Sequence, residues 1–158
     1  GQFILRSPRY AVLFGPVSIS NNYAPLSREL MVEYLTANNI ETELARLVKP
    51  RRPFRGQHAR GRHADVAGLT SIEDLSRLVS RIEPDSKGVP ILLKQYLKLG
   101  GRLLGFSADD HFSHALDGLI VVDLRVSDPR ALSRYMGEEG ARAFYACHQG
   151  TDAMRRAS

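Results

Sequence analysis

Val89-Pro-Ile-Leu-Leu-Lys-Gln-Tyr-Leu-Lys-Leu-Gly-Gly101 runs into Arg102-Leu-Leu-Gly-Phe106 and Ser107-Ala-Asp-Asp-His-Phe112, and then into Leu116-Asp-Gly-Leu-Ile-Val-Val-Asp-Leu124. Pro suits a first helical turn, paired Gly ends a helix, and β-branched residues between polar stops suit a buried strand. The stretch therefore reads as a helix over Pro90–Leu99, a strand over Leu103–Phe106, a turn, and a strand over Leu119–Val122. On that helix Leu92, Tyr96 and Leu99 fall on one side with Leu93 and Leu97 beside them, while Lys94, Lys98 and Arg102 follow at i, i+4, i+8. The hairpin turn carries Asp109, Asp110, His111 and His114.

Upstream, Tyr10–Ile19 reads as a strand interrupted by Gly15-Pro16, where a bulge or a divergence from the neighbouring strand is expected. Ser18 and Ser20 alternate with Val17 and Ile19 and so share one face. Ser27 is the expected N-cap of a helix from Arg28 to about Ala37, and Asn38-Asn39 its end. Glu43–Val48 adds a turn. Lys49–Gly68, rich in Pro, Gly and Arg, has neither helical nor strand periodicity and reads as a long mobile loop. Thr70 or Ser71 caps a helix over Ile72–Ile82, with Ser71-x-x-Asp74 as a variant capping box. Pro84–Gly88 is a turn. Downstream, Asp128-Pro129 opens a helix to about Met136, and Glu138–His148 continues as another.

The chain has 158 residues, 43% hydrophobic and 25% charged, which fits one globular domain over residues 1–150 with a flexible tail at 151–158. No apolar run reaches the roughly 18 to 20 residues that cross a bilayer, and no secretory signal opens the sequence, so a cytoplasmic protein is expected. Gly1-Gln-Phe-Ile-Leu5 reads as the middle of an amphipathic helix over Gln2–Ser7, which suggests a piece of a larger polypeptide. The single cysteine, Cys147, reads as a small buried apolar residue. The net charge of +5 is concentrated: Arg46, Lys49, Arg51, Arg52, Arg55, Arg60 and Arg62 lie between Leu44 and Ala64 with no acidic residue among them, and the remaining chain is more acidic than basic.

That basic segment is either a solvated loop or a phosphate grip, since Arg bonds phosphate oxygens bidentately. Phe54 is its one aromatic, too little for sequence-specific nucleic-acid binding. His111 and His114 are spaced for metal ligation on a helix but sit in a turn, so no metal is assigned. Asp109 and Asp110 suit turn chemistry as well as a functional role. Neither a Gly-x-Ser-x-Gly elbow nor a phosphate-binding Gly-rich loop occurs.

Tyr10-Ala-Val-Leu-Phe-Gly-Pro-Val-Ser-Ile-Ser20, Pro25-Leu-Ser-Arg-Glu-Leu30, Val48-Lys-Pro-Arg-Arg-Pro-Phe54, the Val89–Gly101 block and the Leu116–Leu124 block together resemble the bacterial GNAT-superfamily acyltransferases labelled hemolysins, related to the acyl-carrier-protein-dependent N-acyltransferases of ornithine-lipid synthesis. The resemblance covers the carboxy-terminal half of that domain. It implies an α/β (α+β) fold with a small mixed or antiparallel sheet and flanking helices, peripheral at the inner membrane or free in the cytoplasm. It further implies that Val12–Ser20 splays from a parallel neighbour to admit a pantetheine arm, with Ser18, Ser20 and Tyr23 lining the groove. Arg51, Arg52 and Arg55, with Lys94 and Lys98, would dock acyl-carrier protein or the phosphates of acyl-CoA. Asp109 would orient the nucleophile; Ser107-Ala-Asp-Asp110 departs from the family's more usual Asn-Val-Asp-Pro, so only Asp109 is carried over. The implied reaction is acyl transfer from an acyl-carrier-protein phosphopantetheine or CoA thioester to an amine or hydroxyl, incomplete in this half alone. A covering partner or self-association on the unpaired strand edge is expected. The competing reading is a non-catalytic module that binds carrier protein or an anionic surface through the basic loop.

Overall fold

A computed structural model describes Ser7, Val66 and residues 9–54, 68–109 and 115–156. The helix expected over Gln2–Ser7, most of the basic loop including Arg55, and the hairpin turn with Asp110, His111 and His114 lie outside the described residues, Ser7 itself excepted. Three strands, β1 (Val12–Ile19), β2 (Arg102–Asp109) and β3 (Ala115–Asp123), form an antiparallel sheet in the order β1-β3-β2. The described helices are α1 (Pro25–Asn39), α2 (Thr42–Ala45), α3 (Ile72–Ile82), α4 (Ile91–Lys98) and α5 (Pro129–Arg156). The chain is thus a small α+β domain whose sheet is antiparallel throughout.

Along β3, Leu116, Gly118, Ile120 and Val122 are buried and the residues between them half-buried. Directly opposed residues of antiparallel strands share a face, so the register puts Leu13, Gly15, Val17 and Ile19 with Leu103, Phe106 and Ala108 on that same face. There Val17, Ile19, Leu103, Phe106, Leu116 and Ile120 pack with Leu30, Met31, Tyr34 and Leu35 of α1, Leu75 and Val79 of α3, and Leu93 of α4. A smaller cluster joins Val122 and Leu124 to Leu132, Met136, Ala141 and Phe144 of α5. The opposite face presents Val12, Phe14, Pro16 and Ser18 beside Asp117, Leu119 and Val121, none of them in either cluster.

The helix starts are set by local chemistry. α3 begins as expected: the Ser71 Oγ accepts from the Asp74 N–H at 3.1 Å, while the Asp74 carboxylate accepts from the hydroxyls of Ser71 (2.7 Å) and Thr70 (2.9 Å). Those bonds, with Arg77 alongside, hold the Asp74 pKa down to about 2. α4 ends at Gly100, whose φ of +81° favours glycine, and α5 is broken where expected, at Gly137 with φ +76°. α1 departs from expectation. It starts at Pro25, so Ser27 lies inside the helix, fully buried and with no hydrogen bond to its hydroxyl. The cap comes from a distant residue instead: the buried Glu83 accepts the Ala24 N–H at 2.9 Å through Oε1, and Lys87 lies 3.5 Å from its other oxygen. Its end is as expected, at Asn38-Asn39, where the Asn38 amide donates back to the Tyr34 carbonyl at 2.8 Å. One further expectation is corrected near the carboxy-terminal end: Cys147 is exposed, since α5 turns Ala141 and Phe144 inward.

The bulge expected at Gly15-Pro16 occurs elsewhere. β1 pairs with β3 in one unbroken register, and the irregularity falls between Leu103 and Gly105 of β2. The reason is in the ladder. The Leu124 N–H donates to the Ala11 carbonyl at 2.8 Å, so Ala11 and Leu124 are a hydrogen-bonded pair. Such pairs alternate with non-bonded ones, which makes Pro16 opposite Leu119 a non-bonded pair whose backbone groups point away from β3. Proline's missing donor is not asked for on that side.

Candidate functional site

The alternation that accommodates Pro16 also defines an open edge. On β1 the backbone groups of Val12, Phe14, Pro16 and Ser18 point outward, and among the described residues no strand pairs with them. They offer N–H donors at residues 12, 14 and 18 and carbonyl acceptors at all four positions. Beside them, on the helix-covered face, is a cavity of about 90 Å³. Its floor is Ile120 and Val122 of β3, its wall Tyr96 of α4, and its rim Leu13 to Pro16. Gly15 helps to keep it open, since a Cβ there meets no atom within 4 Å. The β1 edge is unusually apolar: Val12 is 45% exposed, Leu13 36% and Phe14 78%.

The other edge is covered. The Glu41 N–H donates to the Leu103 carbonyl at 2.8 Å, the Ala108 N–H to the Arg52 carbonyl at 2.9 Å, and Pro53 bridges to Ser107. Lys49–Phe54, expected to belong to a mobile loop, is the strip that covers β2.

These two edges separate the sequence-predicted site residues. Ser18 and Ser20 are exposed at the carboxy-terminal end of β1. Ser18 donates to Asp117 Oδ1 at 2.5 Å, and the Ser20 Oγ accepts from the Asn22 N–H at 3.1 Å. Asp109 ends β2 opposite Ala115, at the same end of the sheet. Arg51 and Arg52 are exposed at that end too, but beyond β2, about 14 Å from β1 at the usual strand spacing. Tyr23 is buried, its hydroxyl donating to the Gly88 carbonyl at 2.8 Å and its ring lying 4.6 Å from Lys87 Nζ; burial raises its pKa. Lys94 and Lys98 face α3, with Lys94 Nζ 3.5 Å from Ser76 Oγ and Lys98 paired to Glu73 at 3.7 Å. Ser18, Ser20, Asp109, Arg51 and Arg52 thus share one end of the sheet, while Tyr23, Lys94 and Lys98 are engaged elsewhere.

One residue not singled out from sequence belongs with the first group. Asp117 of the central strand stands between Ser18 and Ser107, each directly opposite it, and Ser107 in turn is within 3.3 Å of the Arg52 backbone. The result is a polar row on the face opposite the helices, with a carboxylate at its middle that accepts the Ser18 hydrogen bond. Its sequence signal is the odd-numbered place of Asp117 in a strand whose even positions are apolar; the pairing with Ser18 and Ser107 follows only from the strand order.

No helix among the described residues is long and apolar enough to cross a membrane. No family model matches the chain, and no curated protein or solved structure does either.

Proposed function

We propose that the chain is the carboxy-terminal part of an acyltransferase of the GNAT type, incomplete by itself, moving a fatty acyl group from acyl-carrier protein or acyl-CoA to an amine or hydroxyl in lipid synthesis. The observation that carries this reading is the β1 edge, where unpaired donors and acceptors run beside an apolar notch. A pantetheine arm is an extended chain with amide groups, and such a chain satisfies a strand edge as a further strand does. In the reaction the acceptor nitrogen or oxygen attacks the thioester carbonyl, the new C–N or C–O bond forms as the C–S bond breaks, and the proton lost by the acceptor ends on the departing thiol. Outward N–H groups of β1 would stabilise the oxyanion. Asp109 would orient the acceptor, with Asp117 a second carboxylate at that end of the sheet. A partner segment on the far side of the arm completes the groove, and the setting is the cytoplasm or the inner face of its membrane.

Thiol release from acyl-carrier protein and from acyl-CoA, with amine and hydroxyl acceptors, tests this on the chain alone and on a longer polypeptide wherever its gene encodes one. Acceptor-dependent release by the longer polypeptide is expected. Release by neither overturns the reading. Exposure of Arg51 and Arg52 on the opposite edge favours the second reading, a module that docks carrier protein or an anionic surface. Reversing the charges of Arg51, Arg52 and Arg55 should then abolish carrier binding while leaving the fold intact.

A further inference from the structure

We propose that the outer surface of α2 and of the strip that follows it is a membrane-docking face: Leu44 and Leu47 enter the headgroup region of an anionic bilayer while Lys49, Arg51 and Arg52 bind its phosphates. The proposal commits the docking reading of Arg51 and Arg52 to one partner, and it does not depend on the acyl-transfer reading.

Local hydrogen bonding fixes which side chains point out. Bonds from the Ala45 N–H to the Glu41 carbonyl at 2.9 Å, from Leu47 to Leu44 at 3.0 Å and from Val48 to Ala45 at 3.2 Å carry helical turns from Glu41 to Val48. Glu41, Ala45 and Val48, at helical spacing, are half-buried on the side that packs on β2. That leaves Leu44 and Leu47, three apart, on the outer side. Leu44 is 42% exposed, and Leu47, at 82%, is the most exposed large apolar side chain among the described residues.

The charges suit an anionic surface. Between Thr42 and Phe54 the one acidic residue is Glu43, which pairs with Arg46 at 3.4 Å. Lys49, Arg51 and Arg52 are exposed. The segment that carries them is tied to β2 at both ends, by the Glu41 N–H on the Leu103 carbonyl and by the Ala108 N–H on the Arg52 carbonyl. Leucines and cations are therefore presented together by an anchored backbone, and docking has little of that backbone left to order. Two leucines or a few cations alone are a weak membrane signal, whereas an apolar insertion beside a basic patch is an effective one. The shape favours a bilayer over a protein partner. Side chains that project this far need a shaped pocket on a protein, but a fluid interface takes them up as they are. α4 provides the contrast: Ile91 and Leu92 are also exposed, but Lys94 and Lys98 beside them are turned to Ser76 and Glu73.

Co-sedimentation of the full chain with phosphatidylcholine vesicles containing about one-third phosphatidylserine, without acyl donor, tests the proposal. Binding should exceed that to pure phosphatidylcholine by about tenfold or more and should fall as salt is raised. Leu47→Asp should weaken it about tenfold and Arg51→Glu about fivefold, each with an unchanged far-UV circular dichroism spectrum. Ile91→Asp, at a site of similar exposure, should leave it unchanged. The chain has no tryptophan, so Leu47→Trp supplies a single reporter, whose emission should shift to the blue with the anionic vesicles and not with pure phosphatidylcholine. Ile91→Trp should shift with neither. Failure to bind the anionic vesicles, equal binding to both compositions, or a shift of Ile91→Trp as large as that of Leu47→Trp would each overturn the proposal. A shift of Leu47→Trp produced by acyl-carrier protein but not by vesicles would overturn it too, and would assign the face to an acidic protein. No thiol is released in these measurements, so their failure and a failure of acyl transfer are read separately.

Discussion

β1 and β2 are both outer strands of one small sheet, and both direct alternate backbone groups away from the central strand. At β2 those groups meet protein: Glu41 bonds to Leu103, Arg52 to Ala108, and Pro53 bridges to Ser107. At β1 the corresponding groups meet no described strand, and the side chains around them are Val, Leu and Phe rather than the charges that usually blunt an exposed edge. An edge is made safe either by covering it or by making it unattractive. β2 has the first protection, and among the described residues β1 has neither except for Pro16, which removes one donor. The difference assigns the outer edge of β2 to the structure of the domain and the outer edge of β1 to its contacts.

The sharpest way to break this comparison is to truncate one apolar side chain on each strand. Leu103 of β2 is fully buried in the main core, and Leu103→Ala should cost about 2–5 kcal/mol in urea unfolding. Leu13 of β1, 36% exposed, should cost about 1 kcal/mol or less when measured at concentrations where the chain is monomeric. Equal losses would mean that β1 is as much a core strand as β2.

A second comparison uses Gly118, on the central strand between the two. A Cβ at Gly118 would come within 2.8 Å of Leu103 Cδ2 and 3.0 Å of the Phe106 ring, so the β2 side is packed down to the last methyl group. Gly118→Ala should cost about 1–3 kcal/mol by overpacking, read as a lower urea midpoint. A neutral result would show that the β2 side yields easily, and the contrast between the edges would lose its packing basis.

The reading from sequence succeeded where local chemistry decides. The Ser71-x-x-Asp74 cap, Gly100 at the end of α4, Pro129 at the start of α5 and Gly137 between its two parts each act over a few residues. It failed where the deciding partner is far away in the chain. Ser27 has the composition of an N-cap, but Glu83 caps that helix from the turn after α3, which lets it begin earlier. Pro16 looks like an interruption until the parity of its pairing with β3 is known. Arg51 and Arg52 read as a grip for anions, and their exposure keeps that role open, yet their backbone is occupied as edge cover. Of the candidate site, Ser18 and Ser20 were legible from alternation on one strand. Asp117 was not, because it joins them only through the order β1-β3-β2.

Amide hydrogen exchange resolves the edges residue by residue. The amides of Leu13, Gly15 and Val17 point toward β3 and should be protected, as should Ala108, bonded to Arg52 at 2.9 Å. Those of Val12, Phe14 and Ser18 should exchange rapidly in dilute solution. If the chain pairs through β1, protection at Val12 and Phe14 should rise with protein concentration while that at Ala108 stays constant. Protection of Phe14 at every concentration would show that its edge is already covered.

The smallest effect is the one whose sign discriminates best. Gly15→Ala makes the same chemical change as Gly118→Ala, on the same face of the sheet and one strand away, but its new methyl group meets nothing within 4 Å. Glycine inside a strand costs roughly 0.5–1 kcal/mol relative to alanine through the extra freedom of the unfolded chain, so the monomer should gain about that much stability. The gain follows only if the notch is empty in the monomer. A substitution that destabilised the chain instead would show that the β1 edge is as closely packed as β2.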